Sequence, residues 1–324
     1  MLWQRGKLII LLSFTLFVVM LTGCGQTKTT EEPGGVVVVD DLGKEIRLKG
    51  PAQRIVSLYP AHTENLFALG LNEEIIGVSS NETYPPEALA KPGYSFREDA
   101  EKIVAARPDL VLSRTFISNS NPDFISKLEA AGIPVATLYP ENIDQFFTYI
   151  EKLGKLTGKD KEAGDLVDRF NKRLQEIKEV VDNISPGERK KVFFETNQDD
   201  LKTCTTDSNA AFVLDKAGAV NIAADAKAVK AGSTIAAYGQ ERLLSRASDI
   251  DVYIVQKGEM NRVREQDIYT RPGYRIIKAV QARQVYVLDE EIMSRPTMRL
   301  LDGIVEVGSV LYPDVFKELG NSQL

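Results

Sequence analysis

The chain has little of what most catalytic and metal centres are built from. Its 324 residues include one histidine (His62), two cysteines and one tryptophan. A single imidazole argues against capture of a bare zinc or manganese ion by several histidines. Any Ser–His–acid arrangement would have to use His62. No Gly-rich phosphate loop, HExxH or GxSxG stretch occurs, so no catalytic residue, metal-ligand set or cofactor is assigned. The cysteines are Cys24 and Cys204. With Cys24 used at the new N-terminus, no disulfide can form within one chain, and stability has to come from hydrophobic cores. A basic excess is missing as well, with 40 Lys and Arg against 46 Asp and Glu, which argues against nucleic acid as a partner.

A membrane-spanning run is also absent. Arg5 and Lys7 precede 16 uncharged residues, Leu8–Gly23, short of the roughly 20 that cross a bilayer. The run ends in Leu21-Thr22-Gly23-Cys24, which resembles a lipoprotein signal: residues 1–23 are removed and Cys24 takes a lipid. Residues 24–35, containing QTKTTEEPGG, read as a flexible polar tether. The protein is therefore expected outside the cytoplasm, anchored to the membrane at Cys24. Losing Arg5 and Lys7 leaves it more acidic than its formal charge of −6.

About 290 residues remain, enough for two domains. They are organised around Asp160–Asn183, DKEAGDLVDRFNKRLQEIKEVVDN. Its apolar residues recur at Ala163, Leu166, Val167, Phe170, Leu174, Ile177, Val180 and Val181, the spacing of one helix face. Asp165 with Arg169, and Asp168 with Lys172, are opposite charges four residues apart on the wet side. The rod would be roughly 36 Å long. Similar stretches flank it. AEKIVAARPDLVLS (Ala100–Ser113) is echoed by QERLLSRASDIDVYIV (Gln240–Val255), and KLEAAGIPVATL (Lys127–Leu138) by VLDKAGAVNIAA (Val213–Ala224). Two echoes around one rod suggest two related lobes: 36–158, the linking helix 159–184, and 185–324.

Within the lobes the pattern alternates. Val36–Asp40 and Glu45–Leu48 flank a turn with Gly43, a hairpin. Strands are expected at Arg54–Leu58, Ile75–Val78, Leu110–Ser113, Pro134–Leu138, Lys191–Thr196, Val252–Val255 and Val285–Leu288. Helices are expected from Thr63, as cap, to Gly70, and over Asp123–Ala131, Ile143–Thr157, Asn209–Ala217, Ile276–Gln281 and Arg299–Leu311. Lys257–Arg271 reads as a basic loop. Strands alternating with helices of this length imply parallel α/β sheets, whose ligands lie beyond the carboxyl ends of strands.

RIVSLYPAHTENLFALG, the Tyr84-Pro85-Pro86-Glu87 loop, RPDLVLS and RPTMRLLDGI, in this order, resemble the substrate-binding lipoproteins of ABC importers for ferric siderophores, haem and vitamin B12. The resemblance covers residues 36–316. It implies the class III periplasmic binding protein architecture: two Rossmann-like α/β lobes, one long rigid helix between them, little lobe motion and a ligand in the cleft. It implies as partners a permease dimer with its ATPase, the lobes presenting one glutamate each to permease arginines. The matching positions are Glu101 and Glu241, which are also the leading acids of the first pair of echoes. A monomer is expected.

Strand ends supply the ligand-side candidates: Tyr59 and His62 after the first strand, Tyr84 in the next loop, Phe96 and Arg97 before the first echo, and Arg114 after Leu110–Ser113. The second lobe adds Arg262, Arg264 and Arg295. Recurrent arginines at one cleft suit carboxylate or oxyanion groups, because guanidinium is a planar fork. His62 reads as an ordinary polar neighbour, with one axial contact to haem or cobalt left open. The B12-binding members use tryptophans as an aromatic wall. Here the only tryptophan, Trp3, is in the signal, and the matching stretches, Gly93–Arg97 and Ser233–Tyr238, leave Phe96 and Tyr238. The expected ligand is therefore an anionic ferric complex of siderophore type, with a corrinoid or haem as the alternative.

Overall fold

The computed structural model describes residues 35–259 and 261–319. The expected signal, Cys24 and all of the tether but Gly35 lie outside them. The hairpin forms as expected, with β1 (Val36–Val39) antiparallel to β2 (Glu45–Leu48). Val38 and Ile46 turn inward and are buried, while Val37 and Val39 stay exposed, the period-two alternation of a one-sided ribbon.

The first lobe holds β3 (Ile55–Ser57), β4 (Ile75–Ser79), β5 (Gly93–Tyr94), β6 (Leu110–Ser113) and β7 (Val135–Thr137). They form one parallel sheet in the order β5-β4-β3-β6-β7. β3 and β6 are buried along their whole length, as central parallel strands between helical layers must be. In the second lobe come β8 (Lys191–Glu195), β9 (Lys202–Cys204), β10 (Val220–Asn221), β11 (Lys227–Ala228), β12 (Ile235–Ala237), β13 (Val252–Lys257) and β14 (Val285–Asp289). Here β10-β8-β13-β14 is the parallel sheet, and β11-β12-β9 is a small antiparallel one.

With the extra edge strand β5 left out, the sheet strands counted from β3 and from β8 lie in the same order, second, first, third, fourth, so the lobes share a topology. The first pair of echoes falls on equivalent third strands, β6 and β13. The acid ahead of each does the same work. Asp109 accepts the N–H groups of Gln53 and Arg54 at 2.8 and 2.9 Å, just before β3. Asp251 accepts that of Lys191, at the start of β8, at 2.8 Å. The second pair has a different origin. Both members are a helix, a glycine at φ +79° (Gly132, Gly218) and an edge strand, but β7 and β10 lie on opposite edges. Their likeness is the common chemistry of a helix ending in a left-handed glycine.

The linking helix spans Asp160–Val181 and buries Ala163, Leu166, Phe170, Ile177 and Val181. Phe170 carries the junction. Its ring lies 5.7 and 5.5 Å from Phe146 and Phe147 of the first lobe, and stacks at 6.4 Å on Phe212 of the second. One continuous apolar core therefore runs through both lobes and the rod, which makes the rod rigid. On its wet side the expected pairs give way to Lys161–Asp165 at 2.6 Å, an exposed pair worth little.

Three local expectations need correction. The helix after β3 begins at Pro60, not at Thr63, because proline at the first turn has no N–H to satisfy and a preset φ. The basic loop contains a helix, Glu265–Thr270, too short to show an apolar period. The antiparallel sheet was not expected, since strands of two or three residues carry no measurable alternation.

Candidate functional site

The carboxyl ends of β3, β6 and β7 deliver Tyr59, Arg114 and Tyr139 to one wall. The Arg114 guanidinium lies over the Tyr59 ring at 4.6 Å and the Phe116 ring at 5.1 Å. Tyr139 meets Tyr59 at 6.0 Å, and Phe96 meets Phe116 edge-on at 6.2 Å. Arg97 covers Phe96 at 5.4 Å. The result is an aromatic ledge with two cations against it, Arg97 and Arg114, and Phe116 is 54% exposed. Among the described residues no carboxylate lies within ion-pair distance of Arg114. Facing charges come from the second lobe. Glu290, the first residue after β14, has its carboxyl pushed up by burial, with Arg295 and, more weakly, Arg114 opposing the shift. A side chain at Gly258 would overlap the Glu290 carboxylate. Thr234 neighbours the Tyr139 hydroxyl.

Beside this wall the lobes are clasped together. Arg295, 8% exposed, binds Glu64 of the first lobe at 2.9 Å and lies 3.5 Å from Glu291 and 3.9 Å from Glu290. Arg299 binds Glu291 at 2.9 Å and covers the Tyr84 ring at 4.6 Å. Asn65 donates to the Pro296 carbonyl at 2.9 Å, and Thr83 to Glu291. Arg295 is thus a lobe-to-lobe tie and not a ligand-facing cation, because three carboxylates already surround it.

Other candidates separate in the same way. His62 is fully buried. Its Nε2 faces the Ser113 carbonyl at 3.0 Å and must donate, so Nδ1 accepts from the Tyr149 hydroxyl at 2.7 Å. Burial pushes its pKa down to about 4. No ring nitrogen is left for an axial metal contact. Arg264 caps the helix Glu265–Thr270 through Asp267 at 3.0 Å. Tyr238 is 6% exposed and packs on Phe193 at 5.1 Å under Arg242, so its ring serves the second lobe's core. Arg271, at the end of the same loop, is held by the buried Glu195 at 2.7 and 3.1 Å. Arg262 is exposed, and among the described residues it has no ion-pair partner. Tyr84 lies on the clasp's rim. The structure therefore brings together Tyr59, Phe96, Arg97 and Arg114, and adds Phe116, Tyr139 and Glu290. Those three lie one to three residues past expected strands, but a lone aromatic or acid there has no distinguishing pattern.

Glu101 and Glu241 are the second residues of the short helices Ala100–Ala106 and Gln240–Ser245. Both are exposed, and the two helices precede the equivalent strands β6 and β13.

Residues 55–292 match the model of a family described as periplasmic binding protein. The chain is a periplasmic binding protein. It is 31% identical over 318 residues to the uncharacterised ABC transporter substrate-binding lipoprotein YvrC of Bacillus subtilis, covering 94% of this chain and 96% of that one. The vitamin B12-binding protein of Vibrio cholerae is 25% identical over 266 residues, 81% of this chain and 90% of its own. The crystal structure of a possible iron-binding, periplasmic solute-binding protein of Staphylococcus epidermidis superposes with a TM-score of 0.69 at 26% identity, over 81% of this chain and 99% of that chain.

Next to Thr83 of the clasp, Glu82 is expected to make stability depend on pH. Burial pushes the Glu82 carboxyl up to about 7, although a hydrogen bond from Thr63 Oγ1 at 2.8 Å opposes the shift. A carboxyl raised on folding lends stability below its unfolded pKa and loses it as pH rises through 7. Glu82→Gln keeps an acceptor for Thr63 and removes the ionisation. It should stabilise the protein at pH 8 by about 3 kcal/mol, at about 1.4 kcal/mol per pKa unit over the rise from 4.5 to about 7, and by under about 1 kcal/mol at pH 5. Urea unfolding at both pH values measures this; an equal effect at the two would refute the assignment.

Proposed function

We propose that this binding protein captures an anionic metal chelate, of ferric siderophore type, in the interlobe cleft and delivers it to an ABC importer. The observation that carries the reading is Arg114, a guanidinium without a carboxylate partner among the described residues, lying against the Tyr59 and Phe116 rings just past the end of β6. It offers hydrogen bonds to a ligand oxyanion while the ledge supplies flat apolar contact. The relatives support the class: one is named as a B12-binding protein and another as possibly iron-binding. A haem or corrinoid is the second reading, favoured by the aromatic ledge itself. The positive lining is thinner than the count of arginines suggested, because Arg264 and Arg295 are neutralised by their own neighbours.

As a substrate-binding protein it works outside the cytoplasm with a permease and its ATPase. Glu101 and Glu241 suit the contact with the permease, one exposed acid at the corresponding place on each lobe, steering encounter and fixing register. Changing both to Arg should abolish uptake in cells and permease binding while leaving ligand affinity within about twofold; undiminished uptake would refute it. Cys24 as the lipid-bearing residue supplies the membrane anchor. Cys24→Ser should leave the membrane fraction with unaltered ligand affinity, and a lipidated mass in that variant would contradict the assignment.

A further inference from the structure

We infer that Asp41, in the turn of the amino-terminal hairpin, is the positioning residue for Tyr139, so that a segment ahead of the family-matched region shapes the ligand wall. This rests on the cleft reading above. β7 is an edge strand, and its outer backbone groups have no neighbouring strand. The hairpin turn supplies the partners. Asp41 N donates to the Thr137 carbonyl at 2.9 Å, and Thr137 N donates to Asp40 Oδ2 at 3.1 Å. Tyr139 N donates to Asp41 Oδ2 at 2.6 Å, while Asp41 Oδ1 holds Lys152 Nζ at 2.6 Å. Asp40 keeps the turn itself in shape by accepting from Leu42 N and Lys44 N at 3.0 and 2.9 Å.

A pocket of about 580 Å³ is lined by Asp41, Thr115, Tyr139, Tyr149 and Lys152 among others. Tyr139 therefore borders open space as well as the Tyr59 ring, and packing that is incomplete leaves more of its placement to where the backbone is held. Both oxygens of Asp41 serve this purpose, one on the Tyr139 amide and one on the helix Ile143–Thr157 through Lys152. The hairpin, residues 36–48, precedes the matched region 55–292.

The test uses the chain from Cys24 onward, with Asp41→Ala and Asp41→Ser prepared in parallel in case one does not fold. Asp41→Asn is the conservative control, since its amide oxygen still accepts from Tyr139 N–H. Amide hydrogen exchange of Tyr139, which needs no ligand, should quicken at least tenfold in the Ala and Ser variants and stay slow in Asn, with β6 amides unaffected. Binding of haemin and of ferric citrate is then measured for Asp41→Ala, Tyr139→Ala and the double variant. Each single change should weaken the probe that binds by about tenfold, and the double no further, because both remove one contact. Unchanged exchange at Tyr139, or additive losses in the double variant, would overturn the assignment. Failure of the wild type to bind either probe would count against the ligand class, while the exchange result still decides the positioning.

Discussion

Arg295→Met should lower the free energy of unfolding by about 3–5 kcal/mol, the cost of removing one partner from a buried ion pair. For a chain of this size that corresponds to a fall in Tm on the order of 10 °C. Burial raises the Glu64 carboxyl even though Arg295 and Arg299 lie beside it, so taking the charges out of water costs more than their attraction returns. The clasp as a whole is therefore a weak source of stability, whereas half of it is a liability. Without Arg295, Glu64 is left nearly unexposed and facing Arg299 only at 3.8 Å. The loss should be smaller at pH 5, where Glu64 can take a proton, than at pH 8. Changing Glu64 to Met as well should recover part of it, since the orphaned charge is gone. A loss below 1 kcal/mol at pH 8 would mean that the lobes are held by the rod and its core alone.

The rod, the alternation of strands and helices and the two-lobe plan are legible because each rests on a repeated pattern, whereas the order of strands within each sheet appears only in the structure. A helix of 22 residues shows its apolar period many times over, and Asp109 and Asp251 mark the same joint in both lobes. The site was less legible, for a different reason. Sequence shows that arginines follow strands but not which carboxylate each one meets. Arg264 finds Asp267 three residues away, and Arg295 finds Glu64, 231 residues away in sequence. His62 reads as an ordinary polar neighbour and is one, but its two partners, Ser113 and Tyr149, come from other elements, so sequence alone leaves the axial contact open. Tyr139 escaped notice because its place depends on a hydrogen bond from its backbone to the hairpin turn, a tertiary contact with no local signature.

Arg114→Ala is expected to produce the largest change in ligand affinity. A charge-assisted hydrogen bond contributes about 1.5–3 kcal/mol when shielded from water, so its loss should weaken binding roughly ten- to a hundredfold. The Tyr59 and Phe116 rings, 4.6 and 5.1 Å from the guanidinium, already cover part of it. Fold and stability should change little, because among the described residues no protein carboxylate depends on Arg114 for an ion pair. The most direct test is therefore a titration of the purified protein, wild type and Arg114→Ala, with ferric citrate, a panel of ferric siderophores, haemin and cyanocobalamin, followed by calorimetry or tyrosine fluorescence. The reading predicts tight binding of an anionic ferric chelate that Arg114→Ala weakens at least tenfold. Tight binding of cyanocobalamin alone, indifferent to Arg114→Ala, would contradict it.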